Sequence, residues 1–328
     1  PYAWTIISGS AELAIGDTVT DHAVQPGGAP AASDQGAAAL AIFSRNRINV
    51  LYGSSSADWS LVTYRERVGA YENSVKEFGM TLMVDDRGVA KLATTQAFGN
   101  FKNNQISRDI QPWMTERKTK LIDSMVSDDH SQYRIFFNDK YALYITVKDQ
   151  KVIGTGVILL GDTPTFCFSR ENSSGTEEMY FGSTDGMLYQ LDKGTSHDGD
   201  AIPVTMPLHF NYIGTPRRNK IWMDASLEIR GTFYAEFSMT NELGYTSVDI
   251  PQPGSSIIVT NLSSAKWDDF TWDQFFWDGV TLLPSFAKLY GSSENISLIL
   301  TSSSDYFGQI TVTGAMIHYF FGRQLQHG

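Results

Sequence analysis

The sequence predicts an all-β protein in two parts, a β-propeller-like region over residues 1–200 and an antiparallel β-sandwich over residues 201–328. Three observations carry this. Strand-like runs come in pairs joined by tight turns, helix signals are few and short, and the hydrophobic texture changes near residue 200. A length of 328 residues exceeds the usual size of one domain, so two cores are expected. Helix content is expected below roughly 15%, against the usual third or so.

The paired runs follow one another along the first part. Residues 4–7 and 12–15 flank Ser8, Gly9 and Ser10; residues 48–52 pair with 59–63; residues 80–84 pair with 89–92 around Asp86, Arg87 and Gly88. Residues 133–137 then face 141–147 across Asn138, Asp139 and Lys140. Residues 178–183 face 187–191, where Asp185 and Gly186 supply the positive φ of a hairpin turn. The later turns fall near 54, 86, 139 and 184, so the spacing is about 32, 53 and 45 residues, a loose match to the roughly 40 to 45 of a four-stranded propeller blade. No WD or kelch signature accompanies that period, and a chain of plain β-meanders is the alternative. Two short helices are expected, one around 108–120 interrupted by Pro112 and one around 268–276. Low-complexity sequence is confined to 26–39 and reads as an exposed loop.

From Gly194 to Asp200 the chain is a polar connector. After it come runs that alternate evenly, at 204–212, 220–230, 233–239, 256–260, 296–301 and 309–319. One wet and one dry face per strand suits an antiparallel sandwich.

Twenty-five Lys plus Arg against 36 Asp plus Glu give a net charge of −11, which argues against tight nucleic-acid binding through phosphate neutralisation. An acidic wall still lets a duplex pass without holding it. The single cysteine, Cys167, lies between Phe166 and Phe168 and reads as a small buried hydrophobe; one thiol excludes an intrachain disulfide and a CxxC metal site. No apolar run approaches the roughly 20 residues that cross a bilayer as a helix, so no membrane span is expected. A chain opening on Pro1 rather than Met is compatible with a piece of a longer polypeptide.

Signatures of catalysis are missing. His22, His130, His197, His209, His318 and His327 lack zinc spacing, and no P-loop, GxSxG or strand-borne GxGxxG occurs. The adjacent acids Asp85–Asp86, Asp128–Asp129, Glu177–Glu178 and Asp268–Asp269 border turns. Neighbours in sequence do not by themselves supply two carboxylates facing across a cleft. Asp192, Asp198 and Asp200 could hold calcium, without the spacing of an EF-hand. No catalytic residue, metal or cofactor is therefore expected.

Two segments stand out as interface candidates. Trp267, Trp272 and Trp277 each precede Asp at a spacing of five, which matches neither helix nor strand. They can plug the end of the sandwich, anchor a subunit interface or stack on sugar rings. Arg217, Arg218 and Lys220 form a small basic cluster after Gly214, Thr215 and Pro216, suited to an acidic neighbouring subunit or, more boldly, to DNA phosphate.

Two stretches resemble the tail nozzle or hub proteins (tail tube, DNA-stabilisation-like) of short-tailed bacteriophages, the podoviruses. One runs from Glu177 to Gly199 and continues from Tyr212 to Lys220. The other is the Trp-Asp segment with Ser297 to Leu300 and Gly314 to Arg323. The resemblance covers about a third of the chain. It implies a non-enzymatic virion subunit, assembled in the host cytoplasm, with propeller and sandwich modules in a six-fold homo-oligomeric ring. That ring joins tail adaptor and tail fibre or spike proteins, and double-stranded DNA passes through it without specific binding. Members of that family are often considerably longer, which leaves a platform or tip domain outside this chain. A glycan-binding module of a receptor-binding or surface protein, or a propeller-based polysaccharide depolymerase, are the alternative readings.

Overall fold

A computed structural model describes residues 14–25, 39–53, 59–92, 106–149, 151–231, 236–246, 248–253, 257–260, 283–304 and 310–322. The protein is mostly β, with 58% of the described residues in strands and 7% in helices, arranged in several antiparallel sheets. It divides into two compact units, residues 1–192 and 193–328.

Among its described residues the first unit holds four sheets that follow the chain. Sheet 1 runs β1 (Val19–Gln25), β2 (Ala39–Ser44), β3 (Arg47–Tyr52), β4 (Ser60–Glu66), and sheet 2 runs β5 (Lys76–Glu77), β6 (Thr81–Asp85), β7 (Gly88–Lys91). Sheet 3 runs β8 (Leu121–Ser127), β9 (Gln132–Phe137), β10 (Tyr141–Lys148), β11 (Lys151–Leu159), and sheet 4 runs β12 (Pro164–Glu171), β13 (Glu177–Ser183), β14 (Leu188–Gln190). Each is a meander in which chain neighbours are sheet neighbours, and tight turns such as that at Gly186, φ 81°, join several of the antiparallel pairs directly.

The cores join successive sheets. Phe43, Ile48 and Val50 of sheet 1 meet Met83 and Ala90 of sheet 2. Leu82, Val84 and Val89, on the opposite face of sheet 2, meet Tyr133, Ile135 and Leu143 of sheet 3. Phe136, Ala142 and Tyr144, on the opposite face of sheet 3, meet Cys167, Met179 and Phe181 of sheet 4. Side chains alternate across a strand, so sheets 2 and 3 are covered on both faces, which explains why β6 is buried along its whole length and β9 at every residue after Gln132. Polar groups fasten the same joints. Asp21 Oδ2 accepts the Val75 N–H at 2.8 Å, Ser124 Oγ donates to the Asn73 carbonyl at 2.6 Å, and Asp123 Oδ2 accepts the Cys167 N–H at 2.9 Å. Asp21 and Asp123 each follow a β-bulge in the first strand of their sheet, and the corresponding bulge in β12 is followed by Phe166.

Helix α1 (Gln111–Arg117) packs Met114 into the core between sheets 2 and 3. Pro112 lies in its first turn and starts the helix instead of interrupting it, since a missing N–H costs nothing there. The expected strand pair at 4–15, the loop at 26–38 and the helix at 268–276 lie wholly or mostly outside the described residues; Ala39, placed with the loop in sequence, opens β2.

Cys167 is buried, and its thiol is pushed up by burial and by the nearby Asp123 carboxylate. A thiol reagent at neutral pH is expected to modify it only as fast as the unit opens, with full reaction in denaturant; rapid labelling of the native protein would contradict this placement.

Among its described residues the second unit has two antiparallel sheets. Sheet 5 is ordered β15 (Ile202–Pro207), β21 (Ile296–Ser304), β17 (Glu236–Leu243), β18 (Ile257–Thr260). In sheet 6 the central β16 (Lys220–Gly231) pairs with β19 (Leu283–Lys288) and β20 (Ser292–Ser293) and, on the other side, with β22 (Ile310–Phe321). One core serves both, with Trp222, Ala225 and Leu227 of β16 against Met239, Leu243, Leu298 and Leu300 of sheet 5. The buried Trp222 indole donates to Ser293 Oγ at 3.0 Å, satisfying its one polar atom. β15 ends at Pro207, earlier than the alternation to residue 212 suggests.

Candidate functional site

The basic cluster is divided by the fold. Ile213, φ 37°, and Gly214, φ 83°, reverse the chain so that residues 214–218 form an exposed turn at the start of β16. Arg217 and Arg218 are exposed there, and the Arg218 guanidinium lies 5.1 Å over the Phe321 ring. Lys220 is turned inward and fully buried. Its Nζ donates to the carbonyls of Thr215 at 2.7 Å, Arg218 at 3.2 Å and Glu294 at 3.0 Å. Burial lowers its pKa, and three carbonyl acceptors hold the ammonium. Lys220 therefore closes the turn from within, and the basic surface reduces to Arg217 and Arg218.

Beside this turn lies the outward face of sheet 6. Pairing places Phe286, Ser226 and Met316 in one row, Lys288, Asp224 and His318 in the next, and Ile221 with Phe320 in a third. The alternate residues Trp222, Ile317 and Tyr319 fill the core, so β22 is apolar on both sides. Phe286 is 64% exposed, Phe320 63% and Met316 56%, with Ile221, Met223 and Phe321 close behind. His318 Nδ1 meets Asp224 Oδ1 in the middle, at the edge of an open depression of about 500 Å³ lined by Met223, Asp224, Ile317, His318, Tyr319 and Phe320. Scattered apolar residues on a surface are ordinary, but a contiguous set of large ones is the mark of a protein contact.

A second open face belongs to sheet 4. Phe166 and Phe168 stack at 6.2 Å and 9°, and Phe168 and Tyr180 at 5.3 Å and 21°, with Arg170 5.4 Å over Tyr180. Glu178 accepts from Arg170 Nη2 at 2.8 Å, from the Tyr180 hydroxyl at 2.9 Å and from Asn172 at 3.3 Å, which pulls its carboxyl down to about 2. Gly182 makes room for the ladder, since a Cβ there would stand 2.2 Å from the Phe166 ring.

Asp268 and Asp269 lie outside the described residues, and the other acidic pairs are tied into the fold. Asp85 is buried and accepts the Arg87 N–H at 2.7 Å, Asp86 pairs with Arg45, and Glu177 accepts from the N–H groups of Asp128 and Asp129 at 3.2 Å. Asp192 is taken by Arg134 at 2.6 Å, away from any calcium role with Asp198 and Asp200. Among the described residues no group of three His, Cys, Asp or Glu is placed to hold a metal, and no helix is long and apolar enough to cross a membrane. Trp267, Trp272 and Trp277 lie outside the described residues. Sequence reasoning passed over the sheet 6 face; the signal available was the run from Ala315 to Phe321, apolar at every position but His318 and so too apolar for a strand with one wet side.

No protein-family model matches the chain, and no curated protein matches it.

Proposed function

We propose that this protein is a structural, non-enzymatic subunit of a ring-shaped homo-oligomer, the tail nozzle or hub of a short-tailed bacteriophage, forming part of the conduit that retains and then passes the genome. The observation that carries the assembly role is the exposed apolar face of sheet 6, with Phe286, Met316 and Phe320 beside the Arg217–Arg218 turn in a chain of net charge −11. Apolar anchors flanked by arginine are what a stable subunit contact uses, and acids abound on further copies to pair with them. The nozzle assignment itself rests on the resemblance of residues 177–199 and 212–220, and of residues 267–279, 297–300 and 314–323, to that family. The propeller-like reading of the first unit is supported by four meander sheets stacked in chain order, and the sandwich reading of the second by two antiparallel sheets sharing one core. Adaptor and fibre or spike proteins are the expected neighbours in the virion, and an acidic inner wall would leave duplex DNA free to slide.

Negative-stain images of the purified chain are expected to contain closed rings. Charge reversal, Arg217→Glu with Arg218→Glu, should reduce the ring fraction while leaving ejection by assembled particles unchanged. A monomer at high concentration would refute the reading, whereas altered DNA retention with intact assembly would place the two arginines in the channel and overturn their role at the subunit contact.

A further inference from the structure

The two ends of the sheet stack in the first unit are complementary. Along the stack each sheet presents a forward face to the next, so that Asp21, Phe43 and Val50 of sheet 1 point to sheet 2, and Asp123, Phe136 and Tyr144 of sheet 3 point to sheet 4. By bulge position and strand pairing the forward face of sheet 4 is Phe166, Phe168, Tyr180 and Leu188, and no fifth sheet among the described residues covers it. At the other end, pairing aligns Val24, Leu40, Leu51 and Leu61 in an apolar row across all four strands on the rear face of sheet 1. Phe166 is 48% exposed, Leu188 56% and Val24 52%, so the stack does not close on itself.

We propose that the forward face of sheet 4 docks on the rear face of sheet 1 of a second copy of this chain. The repeat specifies the occupant. Three successive joints within the chain pair a forward face with a rear face, and the only rear face left open in the described stack is that of sheet 1. Such a contact is heterologous, one surface against a different one, and repeats head to tail from copy to copy. It deepens the ring reading by supplying a joint between subunits, and it is testable apart from it.

The test uses the full chain with Val24→Cys in one preparation and Phe168→Cys in another, treated with a short bismaleimide; the buried Cys167 of the unaltered chain gives the background. The mixture is expected to yield covalent dimers, each variant alone to stay at background, and the double variant to form a ladder of multimers. Leu188→Lys, at an exposed position that tolerates a polar side chain, should weaken self-association by about tenfold or more, as loss of an apolar anchor does. Dimers in the Phe168→Cys sample alone, an intramolecular product in the double variant, or unchanged association of Leu188→Lys would each overturn the proposal. Rings in the images without the mixed cross-link would sink this joint alone, whereas the cross-link without rings would sink the nozzle assignment alone.

Discussion

Gly69→Ala is expected to destabilise the first unit by about 3 kcal/mol or more, a fall in Tm of roughly 6 to 12 °C for a unit of this size. After β4 the chain crosses the β2–β3 turn, where the Arg67 N–H donates to the Asn46 carbonyl at 2.8 Å and the Ala70 N–H to Ser44 at 3.0 Å, and it then joins sheet 2 through the Tyr71 N–H to Val84. A Cβ on Gly69 would stand 2.0 Å from the Ser44 carbonyl oxygen and 2.4 Å from Arg45 backbone atoms. Backbone on both sides cannot yield as a flexible side chain does, so the crossing must lift and open the joint between sheets 1 and 2. Gly154→Ala, whose new methyl meets nothing within 4 Å, is the control and should change stability by less than about 0.5 kcal/mol. Equal melting temperatures for the two variants would mean that the crossing is not close.

Asp192→Ala is expected to cost about 3 kcal/mol. Arg134 is buried at the joint between sheets 3 and 4, its Nη2 2.6 Å from Asp192 Oδ2, its Nε donating to Gln132 at 3.0 Å and its guanidinium 4.1 Å over the Tyr144 ring. Deleting the acid strands a cation in an apolar interface, which costs about 3 to 5 kcal/mol, the lower end applying because Asp192 retains some exposure. Replacing the pair together, Arg134→Met with Asp192→Ala, should recover most of the loss, because no charge is then left to bury. Denaturant unfolding of the two single variants and the double measures the coupling. Additive effects would show that the pair contributes little.

Much of the strand content was legible because hairpins advertise themselves locally. The pairs at 133–147 and 178–191 combine alternation with turn residues, and Gly186 takes the positive φ assigned to it. β1 and β2 escaped notice, since their residues are short, mixed in polarity and interrupted by an Ala-rich segment. Which sheet faces which is a tertiary fact with no local signal; even the buried β9 carries Arg134 between Tyr133 and Ile135. In the candidate site, Gly214 and Pro216 marked the turn that exposes Arg217 and Arg218. Lys220 could not be separated from them, because its partners are backbone carbonyls, one of them on Glu294, 74 positions away.

The chain-ordered stacking of the first unit has a kinetic consequence. Each sheet closes through contacts close in sequence, and each core couples only neighbouring sheets, so this unit can assemble vectorially, a sheet at a time, as it leaves the ribosome. The second unit has no such option. β16 must find β22, with Trp222 opposite Tyr319, and β15 must find β21, with Thr205 opposite Thr301, so its loop-closure entropy is spent before its core forms. Nascent chains should therefore carry an ordered first unit while the second still waits for its last strand.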